Sequence, residues 1–212
     1  MEWEDLISFN GSLILKIKIM GTTNAILVAD EIIQLYKNHG SEEYAGEKVT
    51  QLEHMVQAAS LAAQEGYDEE VILAAFLHDI GHICVEAMGE NEMDGFGIKE
   101  HEMVGANFLR EKGFSEKLIR LVISHVEAKR YLTSKNPAYY AQLSEASKQT
   151  LSFQGGPMNE TECIAFENDP YFELMIKMRQ WDDAAKVVGE PAVPLDSYRN
   201  MLIRHLYVYN EI

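Results

Sequence analysis

An apolar segment from Val71 to His82 carries a histidine and an aspartate side by side. It reads VILAAFLHDIGH, and its length and lack of alternation favour a buried helix. Burying an aspartate without a partner is costly, so His78 and Asp79 need other polar groups or a cation in the core. Histidine is the commonest metal ligand near neutral pH. The chain is therefore expected to fold around a buried metal site.

Segments with apolar residues at helical spacing, separated by glycine and proline, cover most of the remaining chain. No segment shows sustained period-two alternation, so the sequence predicts an all-α helical bundle. Asp68 and Ser115 are the expected N-caps of two of its helices. The predicted helices cover residues 22–39, 51–65, 69–82, 99–112, 115–128, 137–150, 159–166, 170–188 and 195–208.

The segments between these helices also carry predictions. Residues 46–50 form a short connection, and residues 84–97, rich in glycine and acidic side chains, form a loop that is a candidate lid. The length of the chain suits a single domain, 1–212. Residues 1–19 are expected to be a disordered or artefactual extension, because the sequence Met20-Gly21-Thr22 reads as a natural start.

Charge and composition restrict the class of protein. The formal net charge of −16 argues against a general nucleic-acid binder, which needs a basic surface. A small anionic substrate stays compatible, because surface carboxylates farther than about 8 Å are largely screened. No apolar run reaches the roughly 20 residues that cross a bilayer. An acidic N-terminus and two unpaired cysteines favour a cytoplasmic protein.

Further histidines fall on successive predicted helices and extend the polar pair into a constellation. Facing helices of a bundle can each contribute one side chain to a buried metal. Mixed imidazole and carboxylate ligands suit iron, manganese or zinc. Asp182 is preferred over the adjacent Asp183 because it directly follows Trp181, and His39 and His205 are interpreted as core residues. The candidate ligands are His54, His78, Asp79, His101, His125 and Asp182.

This constellation resembles a known family. His54, His78-Asp79 and Asp182 look like the HD superfamily of metal-dependent phosphohydrolases, whose fold is a helical bundle with metal in its core. His101 and His125 resemble its two-metal branch. The resemblance becomes closer to the HD-type phosphonate oxygenases over residues 24–190, through the runs YAGEKVTQLEH (44–54), HDIGH (78–82), SHVEAK (124–129) and SKQT (147–150).

The resemblance implies a role for each matching residue. Two irons, Fe(II) and Fe(III), would be held by the six ligands, with Asp79 as the bridge, and dioxygen would be the co-substrate. Tyr44 would occupy an open coordination position until the substrate arrives. Glu47 would pair with a substrate ammonium, primary or methylated. His82, Lys129, Ser147 and Thr150 would bind the phosphonate, with His82, Lys129 and Tyr44 as catalytic groups.

Physical reasoning supports part of this assignment independently. A phosphonate has no hydrolysable ester oxygen at its C–P bond, so activating water alone is a poor strategy. Charged and neutral donors, Lys129 and Thr150 among them, suit its oxygens. Glu47 lies seven residues before His54, which is close to two helical turns if the helix extends back that far. If residues 46–50 stay a connection, only the resemblance supports Glu47.

Three functions remain open at this point. The first is a diiron oxygenase that cleaves the C–P bond of a 2-amino-1-hydroxyalkylphosphonate to an amino acid and phosphate. The second is a metal-dependent phosphohydrolase that acts on a nucleotide or phosphomonoester through metal-bound hydroxide. The third is a metal-binding regulatory module without activity. Tyr44 and Glu47 favour the first, because a nucleotide hydrolase has no evident need for an ammonium partner.

Overall fold

The computed structural model describes residues 3–44, 46–86, 100–189 and 194–209, with side chains described from residue 21 except 85–86. Over this part of the chain the secondary structure is helical, apart from one isolated bridge between Glu43 and Thr50. The helices are α1 Trp3–His39, α2 Gln51–Gln64, α3 Glu69–Leu77, α4 Ile80–Glu86, α5 His101–Glu111, α6 Glu116–Lys135, α7 Pro137–Gln142, α8 Glu145–Phe153, α9 Glu160–Glu167, α10 Phe172–Ala184 and α11 Leu195–Tyr209. The all-α prediction is confirmed.

The bundle is assembled around α3, whose seven residues from Val71 to Leu77 are all buried. Helices α2, α6 and α11 pack against it, and α10 bridges α2 and α6. In the core next to α3, the Tyr36 ring stacks on Phe76 and its hydroxyl donates to the Phe76 carbonyl at 2.7 Å. Among the described helices, none has the length and apolar character that crossing a membrane requires.

The predicted N-caps are present, and they fix where two helices begin. The Asp68 carboxylate accepts from the Val71 amide at 2.9 Å, and the Ser115 hydroxyl accepts from the Leu118 amide at 3.2 Å. Each cap satisfies an amide that the first helical turn leaves without a partner. Helix α3 ends directly before His78, and α6 carries His125 near its middle, so the caps help to set the register of the site.

The predicted helix 69–82 is wrong as a single element, because it divides into α3 and α4 at His78 and Asp79. The two parts have different neighbours, since α3 packs on α2 and α6 whereas α4 packs on α5 and α1. A break at the polar pair lets each part follow its own neighbours. The break therefore lies where the candidate ligands are, at the junction of the two helices.

Other helix boundaries also differ from the sequence prediction. The segment 137–150 divides into α7 and α8 because Ser144 starts a new helix, its hydroxyl accepting from the Ser147 amide at 3.1 Å. Residues 84–86 belong to α4 rather than to the predicted loop, whose part from 87 to 97 lies outside the described residues. Helix α6 continues past 128 to Lys135, and α10 is shorter than predicted. Helix α1 covers most of residues 1–19, and their assignment as an extension stays a prediction.

Gly81 allows α4 and α5 to approach closely. A Cβ atom at this position would lie 1.8 Å from the His101 carbonyl oxygen and 2.9 Å from the Gly105 amide nitrogen. Both are backbone atoms, so the whole start of α5 would have to move. Because α5 carries the candidate ligand His101, the contact at Gly81 sets the position of part of the site.

We expect Gly81→Ala to lower the free energy of unfolding by about 3 kcal/mol, the upper part of the usual cost of overpacking. Urea unfolding measures this change. Gly21→Ala is the matched control, because no described atom lies within 4 Å of its added Cβ and Gly21 is also helical. That control should leave stability equal or slightly raised. Equal effects of the two substitutions would show that the close approach has no energetic weight.

Candidate metal centre

The structure brings together all six candidate ligands predicted from the sequence. They come from α2, the α3–α4 junction, α5, α6 and α10, so helices distant in sequence converge on one point. Each of these residues is at most 5% exposed, which is unusual for so many polar groups. The residues of this cluster are His54, His78, Asp79, His101, His125 and Asp182.

The Asp79 carboxylate lies between two pairs of histidines. Its Oδ2 atom is 3.5 Å from His54 Nε2 and 3.3 Å from His78 Nε2. Its Oδ1 atom is 3.1 Å from His101 Nε2 and 3.3 Å from His125 Nε2. One oxygen thus faces each pair, which is the arrangement that a carboxylate bridging two cations requires.

Within each pair the imidazole nitrogens point at one another. The Nε2 atoms of His54 and His78 are 3.1 Å apart, and those of His101 and His125 are 2.9 Å apart. Asp182 Oδ1 joins the first pair at 3.4 Å from His54 Nε2. Convergent nitrogen lone pairs with a carboxylate oxygen beside them form a donor set for a metal ion in each half of the cluster.

The opposite ring nitrogens are held by backbone carbonyls. Nδ1 of His54 donates to the Ala185 carbonyl at 2.9 Å, Nδ1 of His78 to Ala75 at 2.8 Å, and Nδ1 of His125 to Val122 at 2.6 Å. Since a carbonyl can only accept, these bonds place the proton on Nδ1. The tautomer that results leaves Nε2 free to bind a metal, as the outer partners of histidine ligands commonly do.

The carboxylate oxygens supply the test of whether a metal pair fits. Oδ1 and Oδ2 of Asp79 and Oδ1 of Asp182 have no hydrogen-bond partner among the described residues, although all three are buried. Leaving a buried acceptor unsatisfied costs free energy, and a charged one costs more. A cation in each half of the cluster removes that cost. The donor set therefore fits two metal ions of the iron, manganese or zinc type.

His82 also lies beside the second half of this cluster. Its ring stacks on His101 with centroids 4.0 Å apart, and its ligand atom is within 4.8 Å of those of Asp79 and His101. The sequence assigned His82 to the phosphonate, one turn after His78. The structure places it where it can contact either the second metal position or a molecule bound to it.

The metal-free cluster competes with metal for protons. Burial disfavours a charged imidazole at His54, but the close, negatively charged carboxylates of Asp182 and Asp79 outweigh it and raise its pKa to about 9. Burial likewise opposes ionisation of Asp79, yet the surrounding histidines hold the pKa of its carboxyl well below its ordinary value. Metal binding must displace the His54 proton, so acid weakens metal binding.

A cavity of about 40 Å³, enough for a few water molecules, opens beside the second half of the cluster. Every residue predicted from the sequence for catalysis or substrate binding lines it, together with three polar residues that the sequence analysis did not select. The predicted ones are Tyr44, Glu47, His82, Lys129, Ser147 and Thr150, and the additional ones are Gln154, Arg179 and Lys186.

Lys129 is a deeply buried cation of the cavity lining, with 3% of its surface exposed, the same fraction as Arg179. Its ammonium donates to the Thr150 hydroxyl at 2.9 Å, which ties α6 to α8. Burial lowers its pKa to about 7, with the nearby Arg179 guanidinium acting in the same direction. A lysine this close to losing its proton is stabilised in its charged form when an anion binds beside it.

Tyr44 covers the first half of the cluster. Its ring stacks on His54 with centroids 4.0 Å apart and an angle of 16° between the planes. Its edge faces His82 at 6.4 Å. Burial and the charge of Asp79 raise the pKa of the phenol well above its ordinary value, so Tyr44 stays protonated when metal is absent. The side chain therefore lies between the metal cluster and the cavity.

Glu47 does not lie on a helix, because residues 46–50 form the predicted connection, so the argument from helical spacing lapses and only the resemblance supports Glu47. It belongs to the connection before α2, where its amide donates to the Tyr44 carbonyl at 2.8 Å. Its carboxylate accepts from the Lys186 ammonium at 2.8 Å. The position expected to face a substrate ammonium is thus occupied by an ammonium of the chain itself.

Two cations of the cavity lining escaped the sequence analysis, and both are near Asp182 in the sequence. Arg179 precedes it by three residues, about one helical turn, and its Nη1 donates to Asp182 Oδ2 at 2.6 Å. Arg179 also donates to the Tyr139 hydroxyl and bonds to Asp183. Lys186 follows Asp182 by four residues, just beyond the end of α10. The spacing from Asp182 was the available signal for both, although charged residues at such spacing are common on solvated helices.

Comparisons with known proteins identify the family of this chain and several relatives. The HD-domain family matches residues 51–154. An uncharacterized protein of Acanthamoeba polyphaga mimivirus is 45% identical over 175 residues, 82% of this chain and 80% of the relative. The 1-hydroxy-2-(trimethylamino)ethylphosphonate dioxygenase (glycine-betaine-forming) of Leisingera caerulea is 44% identical over 72% of this chain and 76% of the relative. Hydroxymethylphosphonate dioxygenase of Gimesia maris is 40% identical over 79% of this chain and 82% of the relative.

An all-helical fold with histidines and aspartates converging in its core defines an HD-type metal-site protein. More particularly, the chain belongs to the HD-domain family and is related to its phosphonate dioxygenases. The resemblance drawn from the sequence is thereby confirmed, as is the expectation of an HD-type dioxygenase.

Proposed function

We propose that this chain is a cytoplasmic diiron oxygenase that cleaves the C–P bond of a 2-amino-1-hydroxyalkylphosphonate, giving an amino acid and phosphate. The observation that carries the proposal is the Asp79 carboxylate, which directs one oxygen to each pair of histidines. His101, His125 and Asp182 of the cluster line a cavity that also contains the buried Lys129, a suitable partner for an anion. The relatives named as phosphonate dioxygenases support the reaction class.

The six ligands would hold one Fe(II) and one Fe(III), which together supply the redox chemistry that activates dioxygen when they are bound. The chain's own residues orient the substrate. Lys129 and His82 would donate to the phosphonate oxygens, and the hydroxyls of Ser147 and Thr150 would add neutral hydrogen bonds. Fixing the phosphonate in this way holds the C1–H bond in one orientation near the metal pair.

Tyr44 and Glu47 would act at the other side of the substrate. Tyr44 lies against His54, and we assign it to closing the open ligand position and keeping out water until the substrate arrives. Glu47 would contact the substrate ammonium, sharing or exchanging its bond with Lys186. This places the cationic end of the substrate opposite its anionic end, with the C1 carbon between them.

The overall reaction is balanced with dioxygen as the only co-reactant. One dioxygen is consumed, its two oxygen atoms enter the carboxylate and phosphate products together, and the C–P and C1–H bonds are broken. Carbon is oxidised to the level of a carboxylate and dioxygen is fully reduced. No external reductant is required, which is consistent with a metal pair that returns to its starting state after each turnover.

The test is phosphate release from (R)-2-amino-1-hydroxyethylphosphonate by iron-reconstituted protein, with and without dioxygen. We expect phosphate and glycine only when dioxygen is present. A phosphomonoester and a nucleotide are assayed in parallel. Phosphate release from either ester without dioxygen, and none from the phosphonate, would replace the proposal with an HD phosphohydrolase. Bound metal without activity on any of these compounds would favour a regulatory module.

We expect Glu47→Ala to raise KM for this amino substrate roughly 10- to 100-fold, the range for losing a hydrogen bond to a charged group. Iron content should stay unchanged, because Glu47 lines the cavity and bonds to Lys186, which is not one of the candidate metal ligands. Steady-state kinetics and elemental analysis measure the two quantities. Glu42→Ala, an exposed glutamate before the same connection, is the control. A KM equal to that of the unmodified enzyme would remove Glu47 from substrate binding.

A further inference from the structure

Lys186 occupies the position opposite Glu47 that the proposed substrate ammonium needs. Its Nζ atom is 2.8 Å from Glu47 Oε1, and both side chains are largely buried, with 17% and 15% of their surfaces exposed. Burial opposes ionisation of Glu47, but hydrogen bonds from Lys186 and Ser144 lower the pKa of its carboxyl. In the free protein Glu47 is therefore an anion that already has an ammonium partner.

The same ammonium also lies near two other residues of the cavity lining. Lys186 Nζ is 3.5 Å from the Ser147 hydroxyl and lies 5.8 Å from the centre of the Tyr44 ring. Ser147 is one of the residues assigned to the phosphonate. The Lys186 ammonium thus lies near both Glu47, assigned to a cation, and Ser147, assigned to an anion. Lys186 follows the end of α10, and its side chain is long and flexible.

Charge balance decides which substrates such a site tolerates. With Lys186 in place the Glu47 charge is neutralised, so an entering phosphonate dianion meets no net repulsion from that carboxylate. Without Lys186, only a substrate that carries its own cation could neutralise Glu47. An ammonium from the substrate and one from the chain therefore serve the same electrostatic purpose.

We propose that Lys186 is a specificity-determining residue whose ammonium stands in for a substrate ammonium on Glu47, so that the site also accepts 1-hydroxyalkylphosphonates without an amine. The proposal rests on the function proposed above. When an amino substrate binds, its ammonium takes the Glu47 contact and Lys186 turns toward the Ser147 side. When the substrate has no amine, Lys186 stays on Glu47. The same enzyme then cleaves both kinds of hydroxyphosphonate.

The experiment compares Lys186→Met with the unmodified enzyme on two compounds, (R)-2-amino-1-hydroxyethylphosphonate and hydroxymethylphosphonate, which has no amine. We expect the unmodified enzyme to release phosphate from both. Lys186→Met should lower kcat/KM for hydroxymethylphosphonate at least about tenfold, because Glu47 is left without a counter-charge. For the amino compound the loss in kcat/KM should be much smaller, because its own ammonium neutralises Glu47.

Two further variants separate this role from a structural one. In the double variant Glu47→Gln/Lys186→Met the charge that needs neutralising is absent, so activity on hydroxymethylphosphonate should recover relative to Lys186→Met alone. Lys177→Met removes another lysine near the same helix, from a surface pair with Glu65 at 2.8 Å, and should leave the ratio of the two kcat/KM values unchanged. Equal losses on both substrates, or no recovery in the double variant, would overturn the proposal.

The outcomes for the unmodified enzyme distinguish this inference from the proposed function. Turnover of the amino compound alone would overturn the inference and leave the proposed function intact. Turnover of hydroxymethylphosphonate alone would support the inference and replace the proposed substrate. Dissociation constants measured without dioxygen provide a second readout if neither compound is cleaved. Lys186→Met should then weaken binding of hydroxymethylphosphonate relative to the amino compound, and equal changes would overturn the inference.

Discussion

Asp79→Ala should abolish stable binding of both metal ions, lowering metal affinity by more than about 100-fold. This carboxylate is the only described group that directs an oxygen to each histidine pair, at 3.3 Å from His78 Nε2 and 3.1 Å from His101 Nε2. Removing a ligand costs more than removing the outer partners of a ligand, which itself costs 10- to 100-fold. Elemental analysis after iron reconstitution and desalting measures the bound metal.

The control for this prediction is Asp196→Ala, which removes an exposed carboxylate from α11. It should keep the full iron content and the helical circular dichroism of the unmodified protein. Asp79→Ala should also keep its helical signal, so that metal loss is not a result of unfolding. Full metal occupancy in folded Asp79→Ala would refute the bridging assignment. Loss of one metal only would show that Asp79 serves a single site.

Lys129→Met should lower kcat/KM for the phosphonate roughly 100- to 1000-fold. Lys129 is 3% exposed and lines the cavity together with two other basic side chains, Arg179 and Lys186. Losing one partner of a buried charged hydrogen bond typically costs about 2–5 kcal/mol, and about 1.4 kcal/mol corresponds to each tenfold change. Methionine keeps an unbranched side chain only one atom shorter than that of lysine, so the main change is the loss of the charge. Steady-state kinetics and the dissociation constant of the phosphonate without dioxygen measure the effect.

The pH dependence gives a second readout for the same residue. Burial lowers the pKa of Lys129 to about 7, so the free enzyme carries the ammonium below that pH and loses it above. The affinity ratio of unmodified enzyme to Lys129→Met should therefore fall as pH rises through about 7. Lys135→Met, on the exposed end of the same helix, is the control and should change neither affinity nor its pH profile. A pH-independent ratio would contradict the role of the Lys129 charge.

Much of the fold and of the metal cluster could be predicted from the sequence, for a physical reason. The apolar segment before His78 is stable only when it is buried in the core. Asp79, which follows it, is then buried as well and needs polar or charged partners. The histidines of the other helices were the expected partners, and the structure places His54, His101 and His125 beside Asp79. Boundary signals such as the Asp68 cap worked because they depend on neighbouring residues only.

The features that were missed depend on contacts between distant segments. The break between α3 and α4 reflects the packing of α4 on α5, which the local sequence does not display. The pairing of Lys186 with Glu47 joins residues 139 positions apart. Arg179 resembles an ordinary helix-surface cation in the sequence, and only the fold brings Tyr139, 40 residues away, into contact with it. In each case a tertiary contact gives meaning to a residue type that is common on protein surfaces.

The most direct test of the account is dioxygen uptake measured together with phosphate release from one iron-reconstituted sample. The substrate is (R)-2-amino-1-hydroxyethylphosphonate, followed by hydroxymethylphosphonate. The account predicts one dioxygen consumed for each phosphate released, and no phosphate after dioxygen is removed. Phosphate released without dioxygen uptake would contradict it, because a hydrolytic reaction would then explain the product.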